Sequence, residues 1–286
     1  MVKKLYKNGF KKAVTLSFDD GTDHDMRLVL LLNKYNLKAT FNFIAHGCAN
    51  HSYLVKVDGK NCWDDCDSLR EFFKGHEIAN HSATHPHLEK IDEALWETEI
   101  KEAGDSLSAA IGYKVRGFAL PYGSYNEKVI DYLRNAGFVY NRTCHANRTF
   151  DLPEDFLLWA ASGHFADFVK DEGQKMIDDF LATDKELALF YAWGHSFELS
   201  DMDCYSKDYW CGITKRWDAI EEMLFSRIAQ KDDIWYANNI EICDYVTAMR
   251  RAEITDSYIN NPTDTCLFFE LDGEAVAVAP NSKVEF

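Results

Sequence analysis

Short apolar runs alternate with amphipathic segments along most of the chain. Residues 13–18 form an apolar run that stops at an Asp-Asp-Gly turn, which is typical of a strand ending at a loop. Residues 25–35 place their apolar side chains at helical spacing. The same alternation predicts strands at 39–44, 76–79, 114–118, 138–142, 187–193 and 234–236, and helices at 62–74, 91–111, 126–136, 215–229 and 241–251.

Repeated strand-then-helix units of this length predict an α/β fold in which parallel strands are joined by right-handed crossovers. The number of units favours a (β/α) barrel over an open sheet. The pattern changes beyond Asn261, where residues 265–271 and 274–279 flank an Asp-Gly turn and predict a hairpin. We therefore expect a barrel over residues 1–260 and a small C-terminal β-hairpin appendage over residues 261–286.

Composition narrows the class of partner. The chain has 286 residues, 47% of them hydrophobic, which suffices for one large core with a small appendage. The formal net charge of −16 disfavours nucleic acid and anionic membranes as partners, because the long-range field is repulsive. A neutral or cationic small substrate is compatible with this charge, and the oligomeric state, including a homo-oligomer, is left open.

Three features bear on location. The N-terminal segment carries lysines but no long apolar run, so the sequence predicts no secretory signal. No apolar stretch is long enough to span a membrane. The eight cysteines are scattered without a Cys-x-x-Cys pair, which favours reduced thiols. We therefore expect a cytoplasmic protein.

Four clusters of residues follow predicted strands, at the positions where barrel enzymes carry their catalytic residues. Taken singly, each has an ordinary explanation as a turn, a surface histidine pair or a hydrogen-bonded histidine. The His-Ser-Ala-Thr-His cluster at 81–85 is the most informative, because His81 and His85, four residues apart on a helical turn, would share one face and bind one metal ion. His87 leaves the identity of the second histidine open, although its side chain would leave that face. The clusters are Ser-Phe-Asp-Asp-Gly at 17–21, His-Ser-Ala-Thr-His at 81–85, Leu-Pro-Tyr-Gly at 120–123 and Trp-Gly-His at 193–195.

Together and in this order, the clusters resemble the motifs of the polysaccharide deacetylase family, also called the NodB-homology domain or carbohydrate esterase family 4. The resemblance covers residues 13–245 and implies a distorted (β/α) barrel with a divalent metal ion at the carboxyl ends of the strands. It implies Asp20, His81 and His85 as metal ligands, a set that leaves a coordination position open. Zinc is the first expectation, with Co²⁺, Mn²⁺, Ni²⁺ or Fe²⁺ as alternatives.

The same resemblance implies catalytic roles. Asp19 corresponds to the general base, His195 to the general acid that protonates the leaving group, and the backbone N–H of Tyr122 to a donor for the oxyanion. A further family element is an acidic residue that orients the catalytic histidine. The matching region leaves two candidates open for it, Asp151 and Asp155.

The chain departs from the family pattern at one position. An arginine that pairs with the base usually stands two residues before the proline of the third motif, where this chain has Ala119. Arg116 precedes it at odd spacing, so on a strand its side chain points to the other face. Arg142, at the end of the next predicted strand, is the better substitute, and Arg148 is a weaker one.

These motifs predict a metal-dependent hydrolase that removes acetyl groups from an N- or O-acetylated carbohydrate. One alternative is a cytoplasmic hydrolase of a small acylated or cyclic amide. Another is an inactive carbohydrate-binding barrel whose aromatic side chains stack on sugars, although most of these side chains are expected in the core. The aromatic candidates for such stacking are Tyr122, Trp159, Trp193 and Trp210.

Overall fold

A computed structural model describes residues 2–46, 56–57, 60–61, 66–200, 210 and 212–286. The helices are α1 (Asp25–Lys34), α2 (Cys66–Phe72), α3 (Ala103–Ile111), α4 (Glu127–Asn135), α5 (Asp171–Ala182), α6 (Arg216–Ile220), α7 (Ser226–Ile228) and α8 (Asn239–Met249). The strands are β1 (Val2–Leu5), β2 (Lys12–Asp20), β3 (Thr40–Phe43), β4 (Lys56–Val57), β5 (Lys60–Asn61), β6 (Glu77–Asn80), β7 (Gly117–Ala119), β8 (Tyr140–Ala146), β9 (Trp159–Ala161), β10 (Gly163–His164), β11 (Ala188–Gly194), β12 (Ile234–Tyr236), β13 (Glu253–Ile254), β14 (Tyr258–Asn261), β15 (Leu267–Leu271), β16 (Glu274–Val278) and β17 (Ser282–Glu285).

Parallel strands form the centre of the molecule. They follow the order β10–β11–β2–β3–β6–β7–β8–β9, and β12 pairs with the beginning of β2. Ser162, which lies between β9 and β10, donates its backbone N–H to the carbonyl oxygen of Tyr191 in β11 at 2.8 Å, which brings the two ends of the sheet together. The predicted (β/α) barrel is therefore confirmed, as a nearly closed parallel sheet.

The alternation of side chains along β2 explains how the barrel is built. Val14, Leu16 and Phe18 pack in one core cluster with the apolar face of α1. The intervening residues point to the other face of the strand. Thr15 donates a hydrogen bond from Oγ1 to the Asn239 side chain at 2.8 Å inside the barrel. Asp19 lies on this inner face, at the carboxyl end of the strand.

The predicted helix at 215–229 is divided into α6, a π-helical segment at Glu221–Phe225 and α7. Two other stretches also differ from the predicted elements. The predicted helix at 91–111 is divided into a 3₁₀ turn at Glu93–Leu95, a π-helical segment at Glu97–Glu102 and α3. Asp92 begins the turn, because its side chain accepts a hydrogen bond from the backbone N–H of Ala94. In the other stretch, β9, β10 and α5 lie between residues 143 and 186, where the apolar pattern is irregular.

The C-terminal segment forms the predicted hairpin, β15–β16, but with additional partners. β1 pairs antiparallel with β15, and β13–β14–β17 form a second small antiparallel sheet. Tyr245 of α8 ties this layer to the barrel, since its hydroxyl donates to the Leu5 carbonyl oxygen at 2.8 Å and accepts from the Phe268 N–H at 3.1 Å. The division of the chain at residue 260 stays a prediction.

Two findings bear on the expected location and redox state. Within the described ranges, no helix combines the length and the apolar character that crossing a membrane requires. Four cysteines are free thiols, Cys66, Cys144, Cys243 and Cys266. The other four, Cys48, Cys62, Cys204 and Cys211, lie outside the described residues.

Candidate active site

Polar side chains converge where the parallel strands end. Asp19 and Asp20 end β2, His81 directly follows β6, Arg142 lies in β8 and His195 directly follows β11. Because the carboxyl ends of parallel strands share one end of a barrel, residues far apart in sequence meet there. The structure thus brings together the sequence-predicted set around Asp19.

Asp20, His81 and His85 form a compact group. Oδ1 of Asp20 lies 3.6 Å from Nε2 of His81 and 3.7 Å from Nε2 of His85, and the two Nε2 atoms are 3.1 Å apart. His81 donates a hydrogen bond from Nδ1 to the carbonyl oxygen of Ala119 at 2.8 Å, which places its proton there and leaves the Nε2 lone pair facing the group. Burial, partly opposed by the charge of Asp19, lowers the pKa of His81 to about 4 and so favours this neutral form.

These three residues fit a divalent metal ion. Their donor atoms lie within 4.8 Å of one another. Oδ1 of Asp20 is buried and has no hydrogen-bond partner among the described residues. A buried carboxylate oxygen without a hydrogen-bond donor is expected where that oxygen binds a cation. Two imidazole nitrogens and one carboxylate oxygen are also the donor types of a catalytic zinc site.

The loop that carries the two histidines is irregular, so the predicted helical turn is wrong. Ser82 and His85 have φ values of 66° and 61°, in the left-handed region. The backbone N–H of His85 donates to Oγ of Ser82 at 2.8 Å, which closes the turn locally. Glu99, from the π-helical segment, accepts the N–H of Thr84 at 2.9 Å and holds the loop to the body of the molecule. Side-chain hydrogen bonds, and not helical spacing, bring the imidazoles together.

The Leu-Pro-Tyr-Gly turn lies beside the histidine loop. Tyr122 has a φ of 58°, and its side chain is 56% exposed. The Tyr122 ring stacks on His87 with centroids 4.0 Å apart and meets His85 edge-on at 4.5 Å. His87 therefore contacts the tyrosine and lies outside the group of three. The role of the Tyr122 N–H stays a prediction.

Asp19 lies buried beside this group. Asn42 of β3 donates from Nδ2 to Oδ1 at 2.8 Å, and Arg142 donates from Nη2 to Oδ2. Burial alone would raise the pKa of Asp19, but the charge of Arg142, helped by His81 and the hydrogen bond from Asn42, holds that pKa well below its usual range. Asp19 is therefore an ionised carboxylate with a fixed orientation.

Arg142 takes the place of the arginine missing at position 119. Ala119 and Arg142 are register partners on β7 and β8, so both side chains lie on the same face at the same level of the barrel. The guanidinium group of Arg142 is fully buried and lies 4.3 Å from the ring centroid of Trp193. Arg116 pairs with Asp244, and Arg148 pairs with Asp167. The preference for Arg142 as the substitute is confirmed.

His195 lies beside Asp19, because it directly follows β11, the strand that pairs with β2. Its Nε2 lies 4.0 Å from Oδ2 of Asp19, and its Nδ1 lies 2.6 Å from Oε1 of Glu198. Burial alone would lower the pKa of His195, but the hydrogen bond to Glu198 and the nearby carboxylates raise it to about 9. The imidazole is therefore protonated at neutral pH, with one nitrogen anchored and the other directed at the cleft.

The expected orienting acid is wrong. Asp151 pairs with Lys185 at 2.5 Å, and Asp155 accepts from a backbone N–H of its own turn and pairs with Arg134. Glu198 holds His195 instead, because the 3₁₀ turn Ser196–Leu199 carries it back to the histidine three residues earlier. The spacing of three residues between His195 and Glu198 is the sequence feature that could have identified Glu198 as the orienting acid. No local signal identifies Asn42, whose contact with Asp19 crosses between strands.

The tryptophans proposed as sugar-stacking groups are part of the core. Trp159 and Trp210 are almost fully buried, and Trp193 is 9% exposed. Within the described residues, Tyr122 is the one member of that aromatic set with an exposed ring face. The interpretation as a sugar-binding surface built from these aromatic residues therefore loses its main support.

Comparison with known proteins agrees with this geometry. Residues 6–141 match the sequence profile of the family described as polysaccharide deacetylase, the family that the motifs of the chain resemble. Over 131 residues it is 28% identical to the peptidoglycan-N-acetylglucosamine deacetylase of Bacillus cereus, covering 45% of this chain and 43% of the relative. Over 128 residues it is 30% identical to the chitooligosaccharide deacetylase of Rhizobium leguminosarum bv. trifolii, covering 44% and 54%.

The fold similarity extends further along the chain than the sequence similarity. A Mycobacterium smegmatis protein assigned to the polysaccharide deacetylases superposes with a TM-score of 0.55 at 16% identity, covering 88% of this chain and 96% of that one. At this identity the similarity shows the fold alone. The chain spans about half the length of each of the two curated relatives named above.

Proposed function

We propose that the protein is a divalent-metal-dependent hydrolase that removes acetyl groups from N- or O-acetylated carbohydrates. The observation that carries the proposal is the position of Asp19. This ionised carboxylate lies 3.8 Å from His81, at the edge of the Asp20–His81–His85 group, and 4.0 Å from the protonated His195. A base, an acid and a cation site thus border one small volume, which is the arrangement that acyl transfer to water requires.

Asp20, His81 and His85 hold the metal ion in this proposal. A divalent ion bound there would polarise the acyl carbonyl and increase the acidity of the attacking water. Asp19 is adjacent in sequence to a ligand but points elsewhere, because successive residues at the end of β2 project in different directions. It is therefore free to act on the water molecule.

The protein's own groups then divide the proton transfers. Asp19 accepts the proton of the attacking water, and Arg142 and Asn42 keep its two oxygens oriented. His195 donates its Nε2 proton to the departing nitrogen or oxygen, which prevents expulsion of a strongly basic anion. The backbone N–H of Tyr122 donates a hydrogen bond to the oxygen that gains negative charge.

The family and the net charge support an acetylated sugar as substrate. One curated relative named above is a peptidoglycan-N-acetylglucosamine deacetylase, and the other is a chitooligosaccharide deacetylase. An N-acetylated sugar is uncharged, so the net charge of −16 does not repel it. The cytoplasmic location stays a prediction, as does the choice of metal.

Acetate release tests the proposal. The zinc-loaded chain is incubated with chito-oligosaccharides, with monomeric N-acetylglucosamine, with an O-acetylated xylan and with a panel of small acyclic and cyclic amides. We expect acetate from at least one carbohydrate and none in the variant Asp19→Asn, which lacks the base but keeps every predicted ligand. Turnover of small amides alone would favour the other hydrolase class, and turnover of nothing in the presence of bound metal would contradict the proposal.

A further inference from the structure

Glu198, the carboxylate that binds His195, also accepts hydrogen bonds from other side chains. Oε1 of Glu198 accepts from His195 Nδ1 at 2.6 Å and from His164 Nε2 at 3.0 Å. Its Oε2 lies 3.4 Å from the indole N–H of Trp210. Burial alone would raise the pKa of Glu198, but the hydrogen bonds that it accepts from His164 and His195 hold that pKa well below its usual range. Glu198 is thus an ionised carboxylate between two imidazoles.

The backbone around His164 determines which of its nitrogens carries the proton. Nδ1 of His164 accepts the backbone N–H of Ala166 at 3.3 Å, as the cap of the 3₁₀ turn Phe165–Asp167. A nitrogen that accepts a hydrogen bond carries no proton, so the neutral ring has its proton on Nε2 and donates to Glu198. His164 is 6% exposed and is the register partner of Trp193 on the neighbouring strand. Its ring is therefore held in place from two sides.

We propose that His164 is a positioning residue for the general acid: it holds Glu198 so that Glu198 in turn fixes the imidazole of His195 with Nε2 directed at the cleft. The inference rests on the proposed function, because it assigns His195 the donation of a proton to the leaving group. It extends that function by one residue that none of the four motifs contains. The residue lies on β10, a two-residue strand in the irregular stretch of the sequence.

The physical argument is rotational freedom. An imidazole bound through Nδ1 to a carboxylate can still swing if the carboxylate rotates about its own side-chain torsions. A second imidazole on the same oxygen and an indole on the other oxygen remove that rotation. The proton on His195 Nε2 then points in one direction, which is what proton transfer within a fixed geometry needs.

Two substitutions separate this role from simple packing. His164→Asn keeps a side-chain oxygen that can cap Ala166, and asparagine is a favoured cap residue, but its side chain is too short to reach Glu198. His164→Gln places an amide N–H near the position of Nε2 and restores the donor.

His76→Asn is the matched control. His76 is also buried, its Nδ1 accepts the Ala39 N–H at 3.2 Å and its Nε2 bonds the Asn33 side chain at 3.1 Å, at the opposite end of the barrel.

The kinetic measurement compares two leaving groups in the zinc-loaded full chain. Deacetylation of a chito-oligosaccharide expels an amine and needs the acid, whereas 4-nitrophenyl acetate expels a phenolate and does not. We expect His164→Asn to lower kcat for the amide about 10- to 100-fold, with little change in KM. This is the loss typical of removing a residue that orients a functional side chain through a hydrogen bond. The aryl ester rate should stay within about twofold, and His164→Gln should recover most of the amide rate.

An NMR measurement tests the geometry without any substrate. In ¹⁵N-histidine-labelled protein, we expect His164 to be protonated at Nε2 and the Nδ1–H of His195 to exchange slowly with water. The Nδ1–H signal should broaden in His164→Asn and persist in His164→Gln and His76→Asn. If wild-type protein hydrolyses neither substrate, the proposed function fails, and the NMR experiment still decides the role of His164.

Four results would overturn the inference. The first is His164 protonated at Nδ1 in wild-type protein, which is decisive even if no variant folds. The second is an unchanged His195 signal or amide rate in His164→Asn. The third is equal loss of amide and ester rates, or equal loss in the Asn and Gln variants, which would indicate packing alone. The fourth is a second bound metal ion that His164→Asn removes, since Glu198 and the two histidines would then be ligands.

Discussion

The substitution Arg142→Ala removes the buried cation that holds Asp19 ionised. An opposite charge at about 4–6 Å lowers a carboxyl pKa by one to three units, and here the guanidinium group is directly hydrogen-bonded to the carboxylate. Both groups are almost fully buried, so solvent screens the pair only weakly. We therefore expect the pKa of Asp19 to rise by at least about one unit in the variant.

The sign of the kinetic effect follows from the role of Asp19 as a base. A base must be deprotonated, so activity is lost as pH falls through its pKa. In the wild-type protein this acid limb lies at low pH, because the pKa of Asp19 is held well below its usual range. In Arg142→Ala the limb of kcat/KM should move to higher pH, and the loss of rate should be much larger at acid pH than at pH 8. Saturating metal is required throughout, because acid pH also releases metal by protonating histidines.

The family pattern supplies the rescue experiment. In the double variant Ala119→Arg/Arg142→Ala, the cation returns to the neighbouring strand at the same level of the barrel, and we expect the acid limb to move back. Arg116→Ala is the control, since Arg116 pairs with Asp244 at the partly exposed outer surface. Its effect on stability should be below about 1 kcal/mol and its acid limb should coincide with the wild type. An acid limb that is identical in Arg142→Ala and the wild type, both metal-loaded, would refute the reasoning.

Three further outcomes are expected. Asp20→Ala should no longer retain a divalent ion after dialysis, measured by elemental analysis, because one of three donors is lost; full retention would contradict the ligand assignment. Glu198→Gln should lower the pKa of His195 from about 9, so the basic limb of kcat/KM, where the acid loses its proton, moves to lower pH; an unmoved limb would assign it to another group. Phe269→Ala should lower the free energy of unfolding by about 3–5 kcal/mol in urea titrations, whereas Phe286→Ala, at a 52% exposed site, should change it by less than about 0.5 kcal/mol; similar values would show that the C-terminal layer contributes little to the core.

Local sequence determined the strands and helices of the barrel and the residues at the carboxyl ends of its strands, where the candidate active site lies. The apolar runs that became β2, β3, β6 and β11 are short and bounded by turns, so alternation and length alone identify them. Parallel strands of one barrel end on one side, and that rule places the residues after each strand in a common site. This rule brings Asp20, His81 and His85 to one end of the barrel, and the resemblance of their motifs to those of the polysaccharide deacetylases implied that they are metal ligands.

Tertiary structure decided which side chains support that site. Arg142 was one of several arginines within reach, and only the β7–β8 register shows that it occupies the level of Ala119. Glu198 reaches His195 from a turn, and His164 reaches Glu198 from a two-residue strand; neither element has a periodic pattern. Hydrogen bonds between side chains depend on register and on local turns, which apolar periodicity does not encode. The sequence therefore specifies the reacting groups, whereas the packed structure specifies what holds them.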